Sequence, residues 1–210
     1  MYRPPAFKED RVEVLHAAIR AHPLGTLVTH GPSGLMANLV PFTLEVGRGG
    51  TNLLRAHLSK ANLQLAEIEP GAEALVIFQG PEAYITPSWY PAKRQHGKVV
   101  PTWNYVVVQA WGSVRVIDDP AWLSAQIDEL TGQQEEGMAE PWAVTDAPTD
   151  FIASQLKGIT GVEILVQRLE GKWKVSQNQT PATRESVAAG LRERNPASAM
   201  AQLVENSGSS

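Results

Sequence analysis

The chain has 210 residues, a formal charge of −4 and no cysteine. That length suits one well-packed domain with appendages, or two small ones, and the lack of thiols excludes disulfides, zinc–thiolate sites and cysteine nucleophiles. The acidic balance excludes bulk, sequence-independent binding to DNA, which needs Lys and Arg against phosphates.

The opening MYRPPAFKED carries no apolar signal core, and no apolar run is long enough to cross a bilayer, so a cytoplasmic protein without a membrane partner is expected. Val12, Leu15, Ala18 and Ile19 then recur at helical spacing behind Asp10, a capping residue. His22-Pro23 ends that helix, because the residue before a proline avoids helical backbone. Residues 24–30 (LGTLVTH) read as a strand, 31–34 as a turn and 35–46 as the partner strand, with Pro41 demanding an edge or a bulge. A second glycine turn at 47–50 leads into 51–68, TNLLRAHLSKANLQLAEI, a strand running into a helix that Pro70-Gly71 closes.

Residues 72–78 form a buried strand, broken at Gln79-Gly80-Pro81 and resumed at 83–86. The stretch 87–101, PSWYPAKRQHGKVVP, reads as an irregular loop of the functional or mobile kind. Residues 102–117 are the longest strand signal. Trp103, Tyr105, Val107, Gln109 and Trp111 share one face, Asn104, Val106, Val108 and Ala110 the other. Asp119-Pro120 opens a helix striped by Leu123, Ile127 and Leu130 and ended at Thr131-Gly132. After an irregular acidic stretch, 151–156 is a short helix. Residues 161–168 and 172–177 read as a hairpin closed around Leu169-Glu170-Gly171. Helix starts at Thr180-Pro181 and Asn195-Pro196 precede a tail ending in NSGSS. Short, closely spaced strands with helices between some of them give an α+β fold built on a mostly antiparallel barrel. Neither a dinucleotide glycine fingerprint nor a P-loop sequence is present.

The strand-to-helix stretch at 51–68 gathers the most chemistry. Strand alternation sets Arg55, His57 and Ser59 on the face opposite Leu54, Ala56 and Leu58. Lys60 and Asn62 follow where a helix begins, and where free N–H groups and the dipole favour an anion. A guanidinium fork, an ammonium and a hydroxyl together suit a phosphate. The plainer reading of the same residues is a solvated strand edge with a capping serine. Elsewhere, Trp89 and Tyr90 in a proline-rich loop read as ligand contacts, and Trp103, Tyr105 and Trp111 as core or subunit interface. The cations Lys93, Arg94, His96 and Lys98 read as a solvated loop.

Six phrases occur in one order: MYRPPAF (1–7), LRAHLSKAN (54–62), GPEAYITPSWYP (80–91), VPTWNY (100–105), KGITGVEI (157–164) and KWKVSQN (172–178). In these the chain resembles the PaiB-type FMN-binding proteins, whose fold is the split barrel shared with pyridoxamine-phosphate oxidases. The resemblance implies a split-barrel domain over 1–178, a helical extension over 179–205 and a disordered tail over 206–210. It also implies a homodimer with FMN in a cleft between two barrels. By position it assigns Arg55, Ser59, Lys60 and Asn62 to the phosphate and turns His57 towards the flavin edge. Tyr84, Ile85, Thr86, Ser88, Trp89 and Tyr90 become a wall and donors for the ring, which needs apolar faces and a few hydrogen bonds. Trp103, Asn104 and Tyr105 become a second contact segment offered by the partner, with Lys174, Ser176 and Gln177 near the ring.

The role implied is that of a negative transcriptional regulator. The alternative is a flavin-dependent oxidoreductase acting on a small molecule, with His57, His96 and Tyr105 to be tested. A third reading is haem binding or degradation, which needs an axial histidine that no spacing singles out. No helix-turn-helix pattern is read, so direct DNA binding has only weak support, and regulation is expected through a partner protein or a local patch formed in the dimer. No metal site is expected.

Overall fold

The computed structural model describes residues 1–47 and 50–208. Arg48 and Gly49 of the second glycine turn, and Ser209 and Ser210 of the tail read as disordered, lie outside the described residues. The elements in order are β1 (Lys8–Glu9), α1 (Val12–Ala21), β2 (Leu24–Gly31), β3 (Gly34–Pro41), β4 (Thr43–Val46), β5 (Asn52–Ser59), α2 (Leu63–Ala66), β6 (Glu73–Ile85), α3 (Pro91–Gln95), β7 (Thr102–Ile117), α4 (Pro120–Glu135), α5 (Thr149–Leu156), β8 (Ile159–Lys174), α6 (Pro181–Arg194) and α7 (Ala199–Asn206). The strands form one sheet in the order β3-β2-β6-β7-β8-β5-β4, with β1 added on β8. The expected α+β class with an antiparallel sheet is what the chain adopts. Two units divide the chain: the first holds Met1–Leu15, Gln79–Val108 and Glu170–Ser210, the second His16–Phe78 and Gln109–Leu169.

In the second unit, the single partner strand expected over 35–46 is two strands. β3 pairs with β2 as far as Leu24↔Pro41, and β4 pairs with β5 from Thr43↔Arg55. Pro41 has no N–H to continue a ladder. Phe42 lies between: its N–H donates to the Pro23 carbonyl at 2.9 Å, and its ring is fully buried, edge-on to Phe78 with centroids 5.8 Å apart. β3 and β4 are the two ends of the strand order, yet only Phe42 separates them in sequence. The sheet therefore has to roll until its ends meet, which is how a barrel forms. β3 comes alongside β5, but among the described residues no ladder joins them, so the barrel stays open along that seam. β7 and β8 cross so closely that a Cβ on Gly112 would stand 2.1 Å from the Leu165 carbonyl oxygen; only glycine fits there.

Local turn chemistry misleads at three other places. β6 runs on through Gln79-Gly80-Pro81; its pairing with β2 covers only Leu75 to Ile77, so the donor that Pro81 lacks breaks no bond to β2. β8 runs straight through the expected hairpin turn. Gly171 pairs with Glu9 of β1, and a Cβ there would meet Leu15 at 2.3 Å, so this glycine admits a close approach and makes no turn. α4, capped by Asp119 as expected, continues past Gly132 to Glu135.

In the first unit, the stretch expected to be irregular holds a single 3₁₀ turn (Pro87–Trp89) and then α3. Each begins on a proline, whose fixed φ suits the first helical position. Thr180 caps α6 as expected, whereas the cap of α7 is Ser198, because Asn195 uses its Oδ1 on the Ala197 N–H within the preceding turn. Val187, Leu191, Met200 and Val204 of the two helices bury themselves with Ile85, Val106 and Val175 in one apolar cluster. No described helix is long and apolar enough to cross a membrane.

Candidate functional site

Period-2 alternation on β5 places Leu54, Ala56 and Leu58 in the core and leaves Arg55, His57 and Ser59 on the opposite face, as expected. Beyond the strand, the Ser59 hydroxyl accepts from the Ala61 N–H and the Lys60 N–H donates to the Gly158 carbonyl. The helix that follows is a single turn. Asn62 is its cap, accepting from the Gln64 N–H at 2.9 Å. Four residues align too few dipoles to attract an anion, and one free N–H is already spent on Asn62, so the helix-start argument for phosphate lapses and the side chains must carry it.

What fixes this turn in place is Gln64, a residue that sequence reasoning missed. Fully buried, it accepts from Asn38 Nδ2 at 2.8 Å and donates to Thr29 Oγ1 at 3.0 Å and the Leu27 carbonyl at 3.2 Å. It thereby ties α2 to β2 and β3. The only sequence signal is a polar residue between two leucines, which is ordinary in a surface helix.

At the seam between β3 and β5 lies a groove of about 450 Å³, lined by Asn38, Val40 and Pro41 on one side and His57, Ser59 and Asn62 on the other, with Gln155 and Gly158 beside them. His57 Nδ1 is 2.7 Å from Oε1 of the buried Gln126. An oxygen facing the ring makes Nδ1 the protonated nitrogen and leaves the lone pair on Nε2. No carboxylate lines the groove.

The other two phosphate candidates stand elsewhere. Arg55 donates to Glu163 at 2.9 Å, pairs with Glu45 and lies 6.0 Å from the Trp122 ring centre. Glu163 is only 3% exposed; burial pushes its carboxyl up, but bonds from Arg115 and Arg55 outweigh that and hold it below the ordinary glutamate range. Lys60 is exposed, its Nζ 2.8 Å from Asp118.

The ring candidates fall in the first unit. On β7 the buried face is Asn104, Val106 and Val108, so Trp103 and Tyr105 face outward and are not core of this chain. Trp103, 53% exposed, meets Tyr84 edge-on at 5.9 Å, and Lys172 Nζ lies 5.2 Å from the Tyr105 ring centre. Thr86 caps the 3₁₀ turn that contains Ser88 and Trp89. The Trp89 indole packs on α6 where a Cβ at Gly190 would stand 2.4 Å away, and its carbonyl accepts from the Ser186 hydroxyl at 2.6 Å. Asn104 donates from within the core to Ser176 Oγ at 2.9 Å. Lys174 donates to Thr102 Oγ1 and to the Trp103 carbonyl. Gln177 closes on its own turn, accepting from the Val175 N–H and donating to the Trp173 carbonyl. Among the described residues no His, Asp and Glu side chains gather in a group that would hold a metal.

Residues 1–168 match the model of the family described as "Putative FMN-binding domain". An uncharacterised protein of Emericella nidulans is 34% identical over 226 aligned positions, covering 91% of this chain and 90% of that protein. The protease synthase and sporulation protein PAI 2 of Bacillus subtilis is 29% identical, with 98% and 97% covered. Among solved structures, the flavocytochrome Anf3 from Azotobacter vinelandii superposes with a TM-score of 0.61 at 14% identity, over 82% of this chain and 72% of that one.

Proposed function

Because the chain belongs to this FMN-binding domain family, we propose that FMN is the flavin it takes, with the phosphate end held in the groove at the β3–β5 seam. One observation carries the reading: that groove offers the Ser59 hydroxyl and the Asn62 side-chain amide as donors and contains no carboxylate, a set that fits a phosphate. Lys60, next to Ser59 and paired with the exposed Asp118, adds an ammonium at the strand end that would exchange that pair for the phosphate. The outward aromatic face of Tyr84, Trp103 and Tyr105 suits covering a flat ring, and in this proposal a second copy of the chain supplies it within a homodimer. The bound isoalloxazine would supply electron or hydride transfer, while the chain's own groups bind and orient it.

The output we infer is negative regulation of transcription exerted through a partner protein. The name of the Bacillus relative, a protease synthase and sporulation protein, supports a cellular control role. α6 and α7 are consecutive helices joined by residues 195–198. α7 (AMAQLVEN) offers no Lys or Arg to phosphate, and the chain is net acidic, which disfavours a direct grip on DNA.

The test is a titration of purified protein with FMN, FAD and riboflavin, followed by flavin absorbance and fluorescence quenching. FMN is expected to bind at least tenfold more tightly than riboflavin, which lacks the phosphate. Equal affinity for the two, or no flavin binding, overturns the proposal.

A further inference from the structure

A second cleft, built wholly within the first unit, has a volume of about 360 Å³, at the small end of the range for ligand pockets. Tyr90 and Val100 give it an apolar wall, Asn178 and Thr183 give polar groups, and two lysines line it with no carboxylate. Lys98 is exposed at the edge, so its charge is already satisfied by water. Lys174 differs. It is partly buried, and two of its three donors are fixed by Thr102 Oγ1 and the Trp103 carbonyl. Several other cations of the chain sit against carboxylates, Arg11 on Glu9, Arg55 on Glu163, Lys60 on Asp118 and Arg192 on Glu205, whereas Lys93 and Arg184 bond neutral oxygens as Lys174 does. Among the described residues no carboxylate pairs with Lys174. Burial pushes its ammonium below the usual lysine value, with Lys172 adding to the effect and Tyr105 opposing it.

Backbone geometry marks the same place. Ser176, two residues on, is held at φ 63°, in the left-handed region that side-chain-bearing residues rarely adopt. Its buried hydroxyl is locked by Asn104, and the Gln179 N–H donates back to the Ser176 carbonyl, so a rigid turn carries Asn178 to the cleft wall.

We propose that this cleft binds a small aromatic or apolar monocarboxylate, with Lys174 as the counter-ion of the carboxylate and Tyr90 and Val100 against the body. One partly desolvated ammonium balances one negative charge; a phosphate dianion would call for a guanidinium fork or a second sheltered cation. The cleft shares no lining residue with the seam groove, and the proposal gives Tyr90, Asn104, Lys174 and Ser176 to the carboxylate in place of the flavin ring near which the resemblance set them.

Benzoate is the probe, benzamide its uncharged isostere and phenyl phosphate its dianionic counterpart, each titrated by calorimetry into the full chain, with and without FMN. Benzoate is expected to bind at least tenfold more tightly than either comparison compound, and Lys174→Met to lose at least tenfold, with partial recovery in Lys174→Arg. A second measurement needs no variant: benzoate, but not benzamide, is expected to protect Lys174 from acetylation by acetic anhydride, read by peptide mass spectrometry, while Lys60 is modified equally in both. Benzoate binding no better than benzamide, phenyl phosphate binding more tightly than benzoate, full affinity in Lys174→Met, or absence of protection each overturns the assignment. FMN titration in the same samples reports separately on the flavin reading.

Discussion

Two charged residues of similar sequence character play different physical parts here. Lys60 is an exposed ammonium against an exposed Asp118, and such pairs contribute about 0–1 kcal/mol. Lys60→Ala should therefore leave chemical denaturation within about 0.5 kcal/mol of wild type while weakening FMN binding by roughly tenfold. Fluorescence titration and urea melts of the same preparation check both halves. Glu163 is the opposite case, a buried carboxylate that carries Arg55 and Arg115. Glu163→Gln should cost about 1–3 kcal/mol at neutral pH. Because the folded carboxyl is held below its ordinary value, its contribution is complete above the unfolded glutamate pKa and is lost as pH falls through the folded one. Wild type should thus lose stability over that acid window more steeply than the glutamine variant. Parallel acid limbs would refute the assignment. The alternation that put Arg55 opposite Leu54 and Ala56 was legible, since period 2 is a local property. That Glu163 and Gln64 would be buried was not, because a polar side chain goes inside only when distant residues supply its partners.

At the level of elements, start signals were readable where the cap was free to serve: Asp10 is taken by Arg3 and Lys8 and Asn195 by its own turn, and neither caps the helix expected of it. Asp119 and Thr180 each cap the helix expected of them, because a cap is satisfied within three residues. Stop signals were less dependable. Pro41, Pro81 and Gly171 have the chemistry of turns, yet one ends a ladder where the chain changes strand partners, one rides a strand beyond its pairing with β2, and one makes room for Leu15. A neighbouring strand decides between those outcomes, and nothing local to the proline or glycine encodes it. Phe42 is the element-scale residue most exposed to test. It is fully buried exactly at the one-residue step from β3 to β4, so Phe42→Ala should cost about 3–5 kcal/mol by guanidinium melts. A loss under about 1 kcal/mol would mean that the step is held by the backbone bond to Pro23 alone.

For the molecule as a whole, class and family were legible because many short phrases spread along the chain agree, whereas the division into two units was not. β6, β7 and β8 each begin in one unit and finish in the other, so no linker or change of composition marks the boundary. The open seam has a kinetic consequence. β2 and β3, like β4 and β5, pair with a neighbour in sequence, but the other edge of β5 must wait for β8, whose pairing joins Asn52 to Val166 and Ser59 to Ile159. Loop-closure entropy makes such distant zippering slow, on the order of milliseconds to seconds. The trough beside β5 is therefore among the last features to exist during refolding. In stopped-flow experiments tryptophan burial should precede the quenching of added FMN, and flavin should slow unfolding while leaving the refolding rate unchanged.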